Sequence, residues 1–283
     1  MFGGHVVGIR ERRADRVGTD DRCSRDNVGE ARAMGAAGVT DRFRGRRPVR
    51  IAPVPVGQCT YSCVYCRLGG AARPRTRPRP FRSADAVVSE VRQRVTWLER
   101  GGIRPRSLIF THGGEPTLDS RLGSAIERLS AGAPEVVVMT NASLLWRPEV
   151  RSRLRAADRV VVKVDAVDAV AWRRLNRPVP QLRLARVLAG IERFRSDYGG
   201  RLDTRTTLVP GLNDSPAQLE GLAGFLGTLT PLMAFLVGTG GPESGPGGNG
   251  EGVLHRGSEV FRDLGLPLMQ RPPCSTLEGE RAQ

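Results

Sequence analysis

Three of the chain's five cysteines fall within eight positions, Cys59, Cys63 and Cys66, in the run Cys-Thr-Tyr-Ser-Cys-Val-Tyr-Cys. Thiolates at this C-x3-C-x2-C spacing can converge on one metal centre, and soft sulfur selects zinc, copper(I) or an iron–sulfur cluster. A four-iron, four-sulfide (4Fe–4S) cube normally takes four cysteines, one per iron. Three would leave one iron open, by the logic that separates catalytic from structural zinc sites. The competing reading is zinc with a distant fourth ligand, for which His112, His255 and Cys274 are the candidates. Structural zinc sites usually pair two short knuckles, and the sequence holds one. Tyr65, immediately before the last cysteine, is a detail that zinc binding does not require. Cys23 and Cys274 lie in segments with no expected fold and are read as spare thiols. An odd cysteine count without an apolar export segment points away from a disulfide framework, toward metal or redox chemistry.

A second group is Gly113-Gly114-Glu115-Pro116. Paired glycines make an ordinary turn or let backbone approach a ligand closely, and Glu115 alone could complement the dipole of a following helix. His112, just before them, is either an acid–base group or a hydrogen-bonded bystander. Lys163 is the chain's only lysine and sits in a run of β-branched residues. Burial would depress its pKa and suit it to imine chemistry; an ion pair with Glu115, Asp165 or a ligand carboxylate is the alternative reading.

The elements that must position these residues follow from apolar periodicity. Ile51, Val54 and Val56 mark a short strand interrupted by Pro53 and Pro55, and the near-alternating Arg and Pro of residues 73–80 mark an extended loop, either solvated or touching phosphates. Ser83 is an N-cap, Val87, Val91, Val95 and Leu98 recur at helical spacing, and Gly101-Gly102 ends that helix. Strands are then predicted at 107–111, 135–139, 160–164, 202–208 and 232–237. Helices fall at 119–131, 148–155, 169–175, 182–198 and 216–229. Six strands separated by helices imply an α/β fold with a parallel sheet and right-handed crossovers. Six units are too few for the closed eight-fold barrel and suit a partial (β/α)6 TIM-like barrel. The motifs all lie in loops after strands, so such a sheet gathers them at one end, where α/β folds bind ligands. The expected division is a basic, mostly disordered tail over 1–47, a core domain over 48–237, and a Gly/Pro-rich linker with a short tail over 238–283. Within that last segment, a short helix is expected only near 259–264.

Of 283 residues, 44 are basic and 29 acidic, a formal net charge of +15, and 43 of the basic residues are arginine. A strongly basic domain is the electrostatic footprint of a nucleic-acid binder. Near-exclusive use of Arg with abundant Gly, Ala and Pro also fits a GC-rich coding sequence, and much of the excess sits in residues 10–50 and 67–82. Aromatic residues are only 5% of the chain, so no stacking platform for single strands is evident, and RNA contact stays open. No stretch approaches the roughly 20 apolar residues of a membrane span, and residues 1–20 lack the apolar core of a secretory signal. A soluble, cytoplasmic protein is predicted.

These motifs resemble those of the radical S-adenosylmethionine (radical SAM) enzymes. The hallmark C-x3-C-x-aromatic-C is matched by Cys59, Cys63, Tyr65 and Cys66, and GGEP by Gly113 to Pro116 after the second strand. Further matches are Thr140-Asn141, Lys163-Val-Asp165, Asn176-Arg177-Pro178 and Val209-Pro-Gly211-Leu-Asn-Asp214, within a similarity spanning residues 50–237. The resemblance implies one 4Fe–4S cluster on Cys59, Cys63 and Cys66, with the amino and carboxylate groups of S-adenosylmethionine on the fourth iron. It implies that Gly113, Gly114 and Glu115 line the methionine amino group. Tyr65 would lie beside the adenine, with Val209 and Gly211 bordering the other side, and Asn141, Lys163 and Asp165 are candidates for ribose and carboxylate contacts. Lys163 joins the three cysteines as a candidate for the reacting centre. An electron from a flavodoxin- or ferredoxin-type donor would then release a 5′-deoxyadenosyl radical, the cofactor supplying the hard chemistry and the protein orienting it. The string Cys-x3-Cys-Val-Tyr-Cys-x-Leu-Gly, with GEPTL, VPGxND and NRP, looks like the branch containing the tRNA wyosine synthases. That branch makes a tRNA base the leading substrate, with a small molecule or peptide behind it. Only Cys23 precedes Cys59, so one cluster is expected, not two. The reading from another class is a non-catalytic zinc or iron–sulfur module that binds nucleic acid.

Overall fold

A computed structural model describes residues 39–40, 48–71, 74–111, 113–132, 134–239 and 250–271. Most of the basic tail, Cys23, His112, Cys274 and nearly all of the Gly/Pro-rich linker lie outside them.

Period-two alternation in the strands builds the sheet. A two-residue strand β1 (Val39–Thr40) pairs antiparallel with β2 (Val49–Ile51). From β2 the strands follow in chain order: β3 (Ser107–Phe110), β4 (Glu135–Thr140), β5 (Arg159–Lys163), β6 (Arg201–Leu208), β7 (Ala234–Gly238) and β8 (Leu268–Arg271). Every neighbouring pair from β2 to β8 is parallel, which gives seven parallel strands in a TIM-like partial barrel. Such pairs need helical crossovers. These are α1 (Ala84–Arg100), α2 (Leu122–Ser130), α3 (Pro148–Leu154), α4 (Ala169–Asn176), α5 (Leu184–Asp197), α6 (Pro216–Thr228) and α7 (Gly250–Asp263).

Helix boundaries follow local chemistry. Ser83 accepts from the backbone of Ala86 and starts α1; Asp168 accepts from Val170 and Ala171 and starts α4; Ser215 and Gln218 form a reciprocal capping box on α6. One set of strand residues, including Ile51, Leu108, Phe110, Val136, Val138, Val160, Val162, Leu208 and Leu236, packs with helix residues such as Val91, Ile126 and Leu226 in a single buried core. The alternate residues, Arg50, Ile109, Met139, Arg159, Lys163, Asp203, Arg205 and Phe235, point to the opposite, inner face of the barrel. Charges there are paired: Arg159 meets the fully buried Asp203 at 2.7 Å, and Arg201 meets Glu135.

Two expectations change. The helix placed near 259–264 runs from Gly250 to Asp263, and a seventh parallel strand follows it where only tail was expected. Glycine-rich composition upstream concealed the spacing of Val253, Leu254 and Phe261, all buried in the core. The helix expected from 119 begins at Leu122, because Pro116–Leu118 forms a separate 3₁₀ turn. The Arg-Pro loop is not simply solvated. Arg79 forms a parallel bridge with Asp119, its N–H donating to Leu118 at 2.9 Å and its carbonyl accepting from Ser120 at 2.9 Å. No helix among the described residues is long and apolar enough to cross a membrane.

Candidate active site

The cysteine loop leaves β2 and is stitched by backbone to two other loops. On one side Gly57 donates to the carbonyl of Gly113, and Glu115 donates to that of Gln58, each at 2.8 Å, around a parallel bridge between Gln58 and Gly114. A Cβ on Gly114 would lie 2.0 Å from the Gln58 oxygen, and one on Gly113, at φ +76°, 2.8 Å from the Val54 oxygen. The double glycine is thus a requirement of close backbone approach. On the other side Ser62 donates to the Asn176 carbonyl at 3.0 Å, Val64 to Leu175 at 2.9 Å, and Val179 to Thr60 at 3.1 Å. Arg177 turns the chain there in the left-handed region, at φ +43°. Trp172 Nε1 donates to the buried Tyr61 hydroxyl at 3.2 Å, and the two rings meet edge to face.

Cys59, Cys63 and Cys66 are free and partly exposed. Cys66 donates its N–H to the Cys63 carbonyl at 2.9 Å, which folds the last two into one turn. N–H donors point at two of the sulfurs: Asn141 Nδ2 at 3.5 Å from Cys59 Sγ, Asn176 Nδ2 at 3.4 Å from Cys63 Sγ, and Lys163 Nζ at 4.0 Å from Cys63 Sγ. Burial, with a smaller contribution from Glu115, pushes the Cys59 thiol up to about 12. A metal binding here must therefore displace a proton.

Glu115 is buried and saturated by the protein. Its Oε1 accepts from the Thr117 amide at 3.1 Å, the Thr117 hydroxyl at 2.6 Å and the Thr140 hydroxyl at 2.5 Å, and its Oε2 accepts from the Asn141 amide at 2.7 Å. Burial still holds its pKa above the ordinary carboxylate value. Asn141 also donates to Thr60 Oγ1 at 2.8 Å, and Thr60 and Ser143 share a hydroxyl contact of 2.7 Å. Glu115 and Asn141 thereby lock the ends of β3 and β4 to the cysteine loop.

Asp165, beyond the end of β5, is the hub of the opposite wall. Its Oδ2 accepts from Tyr65 Oη and from Asn176 Nδ2 at 2.7 Å, and its Oδ1 accepts from the Thr207 amide at 2.8 Å. Lys163 Nζ lies 3.4 Å from Asp165 Oδ2 and 4.3 Å from the centre of the Tyr65 ring. Of the two roles open to Lys163, the geometry gives the ion pair, and its partner is Asp165. Burial opposes its charge, as the sequence suggested, but Asp165 and the neighbouring cysteines outweigh that, and the pKa is raised. Val209 is buried and Gly211 turns at φ +72°. Asn213 ties their loop down, donating to the carbonyls of Asp165 and Thr207 at 2.8 Å each and accepting from Val209.

The fold thus brings Cys59, Cys63, Tyr65, Gly114, Glu115, Asn141, Lys163 and Asp165 into one connected network, with Gly113 at its edge and Val209 and Gly211 joined through Asn213. Asn176 and Asn213 received no role from sequence, although NRP and ND were visible as strings. Their partners lie 113 and 48 positions away. Of the zinc-ligand candidates, His255 lies on α7 as an exposed partner of Glu259, while His112 and Cys274 fall outside the described residues. Among the described residues, no trio of His, Cys, Asp and Glu gathers around a point that a single ion would fill. A cube with one thiolate per iron needs its sulfurs spread more widely than one ion does. Three soft thiols ringed by N–H donors fit such a cluster, since sulfur-bound hydrogen bonds are among the protein's means of stabilising it.

The sequence pattern of the radical SAM superfamily matches residues 54–223. A UPF0026 protein of Methanocaldococcus jannaschii is 34% identical over 186 residues, which is 66% of this chain and 57% of that protein. The chain therefore spans little more than half the length of this relative. Among solved structures, a radical SAM methyltransferase from Sphaerobacter thermophilus superposes with a TM-score of 0.58 at 20% identity, covering 83% of this chain and 69% of that one. TYW1 with a lysine–pyruvate adduct bound superposes at 0.50 with 16% identity, over 66% of this chain and 62% of that one. At these identities the likeness is one of fold.

Proposed function

The chain belongs to the radical SAM superfamily, and on that premise we propose that it uses one 4Fe–4S cluster, held by Cys59, Cys63 and Cys66, to cleave S-adenosylmethionine reductively and generate a 5′-deoxyadenosyl radical. The observation that carries this reading is the set of three free thiols between two backbone seams, with Asn141, Asn176 and Lys163 directed at their sulfurs. The cluster, when bound, supplies the electron that breaks the sulfonium bond.

The chain's own groups bind and orient. Gly113 and Gly114 bring backbone into reach of the methionine amino group, and Glu115 fixes that backbone by accepting from Thr117, Thr140 and Asn141. Lys163, held as a cation by Asp165, faces the methionine carboxylate. Tyr65, anchored through its hydroxyl to Asp165, lines the adenine, with Val209 and Gly211 across from it. Asp165 and Asn141 border the ribose. A flavodoxin- or ferredoxin-type protein delivers the electron. The unit that does this spans residues 48–237, and α7 and β8 extend its sheet.

A base in tRNA is the leading substrate, supported by the resemblance to the wyosine synthase branch and by the net charge of +15.

Anaerobic purification is expected to give iron and sulfide in near-equal amounts, and reduction with S-adenosylmethionine to give 5′-deoxyadenosine. Stoichiometric zinc without iron overturns the reading. Persistence of 5′-deoxyadenosine after replacing all three cysteines by alanine overturns the site. For RNA, log affinity should fall linearly with log salt as phosphate contacts are screened; weak binding that ignores salt removes the tRNA reading.

A further inference from the structure

One row of residues crosses the inner face of the barrel. In register, Lys163 on β5 lies opposite Arg205 on β6, Arg205 opposite Phe235 on β7, and Phe235 opposite Met269 on β8. Period-two alternation keeps all four on the face away from the helix-covered core. The outward neighbours Val162, Leu236 and Leu268 belong to or pack against that core instead. The row is open: Arg205 and Phe235 are half-buried, and Met269 is 45% exposed. It begins beside the cysteine loop, since Lys163 Nζ lies 4.0 Å from Cys63 Sγ, and leads away across about 14 Å in three strand steps.

Its chemical order is two cations, an aromatic ring and a thioether. Like charges directly opposite on neighbouring strands repel. Asp165 answers the first, and the inner face carries Arg50, Arg159, Lys163, Arg201 and Arg205 against Glu135, Asp165 and Asp203. An anion entering beside Arg205 would meet a guanidinium fork suited to phosphate oxygens. One strand further, a half-exposed ring offers a flat surface to a base, and methionine adapts to whatever the ring leaves uncovered.

We propose that Lys163, Arg205, Phe235 and Met269 form a nucleotide-binding subsite, in which Arg205 takes a phosphate, Phe235 stacks the base and Met269 closes its far edge. The nucleotide is either free or one unit of an RNA strand. The inference deepens the proposed function by naming its substrate class. It rests on that reading only for what the bound nucleotide undergoes, because binding is measurable without it.

The test is calorimetric titration of the anaerobically purified, cluster-loaded protein, without reductant, using guanosine monophosphate, guanosine and a short single-stranded RNA as probes. The monophosphate or the oligomer is expected to bind. Arg205→Gln is expected to weaken that binding at least about tenfold while changing guanosine binding little, and Phe235→Leu to weaken all probes by about tenfold or more, as loss of a base stack does. Phe235→Trp, which keeps the ring, should retain binding and shows that losses are not misfolding. Binding of the monophosphate identifies a small nucleotide, and binding of the oligomer alone identifies RNA; either supports the subsite. Failure of both probes, or variants that bind as the parent does, overturns it. 5′-Deoxyadenosine formation by the parent protein without nucleotide reports separately on the proposed reaction, so each can fail alone.

Discussion

Asn176 donates its side-chain amide to Asp165 Oδ2 at 2.7 Å, and the same nitrogen lies 3.4 Å from Cys63 Sγ. The end of α4 therefore reports to both the thiol loop and the hub at the end of β5. Partners of this kind around a metal ligand typically change affinity or activity by about 10–100-fold when lost. Asn176→Leu is expected to lower 5′-deoxyadenosine formation within that range and to shift the cluster's reduction potential downward, because an N–H donor to sulfur favours the more electron-rich cluster. Potentiometry followed by electron paramagnetic resonance reads the shift. An unchanged potential would leave Asn176 as packing alone.

The glycines divide sharply. Gly114→Ala places a Cβ 2.0 Å from the Gln58 carbonyl oxygen, so the bridge between the two loops must open. The variant is expected to lose cluster loading and several degrees of Tm. Gly224, inside α6, has nothing within 4 Å of its virtual Cβ. Gly224→Ala is expected to gain about 0.5–1 kcal/mol, since glycine is the costlier residue in a helix interior, which at this chain length is a rise in Tm of about 2–4 °C. Calorimetric melting of the two variants side by side checks both.

Glu115 is held by four donors and offers them only acceptor oxygens. Glu115→Gln keeps the shape but turns one terminus into an NH₂ group facing donors. A buried donor left without an acceptor costs about 1–3 kcal/mol, and the ends of β3 and β4 should loosen together. Hydrogen exchange at Asn141 and Thr117 is expected to accelerate in this variant while α6 keeps its protection.

A pH prediction follows from Asp203, fully buried on the inner face. Burial raises its pKa above the ordinary value and outweighs the attraction of Arg159 and a backbone hydrogen bond at Met233. A carboxyl group raised on folding favours the folded state while protonated, and that contribution is lost as pH rises through the folded pKa. The stability of the parent relative to Asp203→Asn should therefore decline as pH increases between about 4 and 7. Any cost of leaving Arg159 without its carboxylate is common to that range and cancels in the slope. Urea unfolding of both proteins across the range measures it; a rising difference would mean that Arg159 dominates.

The parts of the fold that sequence made legible are those governed by local rules. Val87, Val91 and Leu98 announce α1 by spacing, Ser83 by its side-chain oxygen, and Val160 to Val162 a strand by β-branching. The cysteine run and the double glycine were legible because both depend on residue type at short range. What stayed hidden depends on distant partners. Nothing local to Glu115 shows that Thr140 and Asn141 will saturate it, and nothing near Lys163 shows that Asp165 outweighs the effect of burial on its charge. Strand β8 was lost because Leu268 and Met269 are too short a run to stand out after a glycine-rich stretch, and they become a strand only through pairing with β7. Arg79 reads as part of a charged loop until Asp119 is placed beside it.

The connection from Cys63 to Asn176 has a further consequence, for the order in which the protein is made. Cys63 leaves the ribosome 113 residues before Asn176, which at typical elongation rates is on the order of ten seconds. Through that interval the cysteines exist without Asn141, Lys163, Asn176 or the seams that hold their loop, as unshielded thiols beside a growing chain. The pocket that would receive iron is thus completed late, by β5 and α4. Cluster insertion belongs after translation of the barrel's middle, and a nascent chain stalled before residue 176 would offer its thiols to oxidants first.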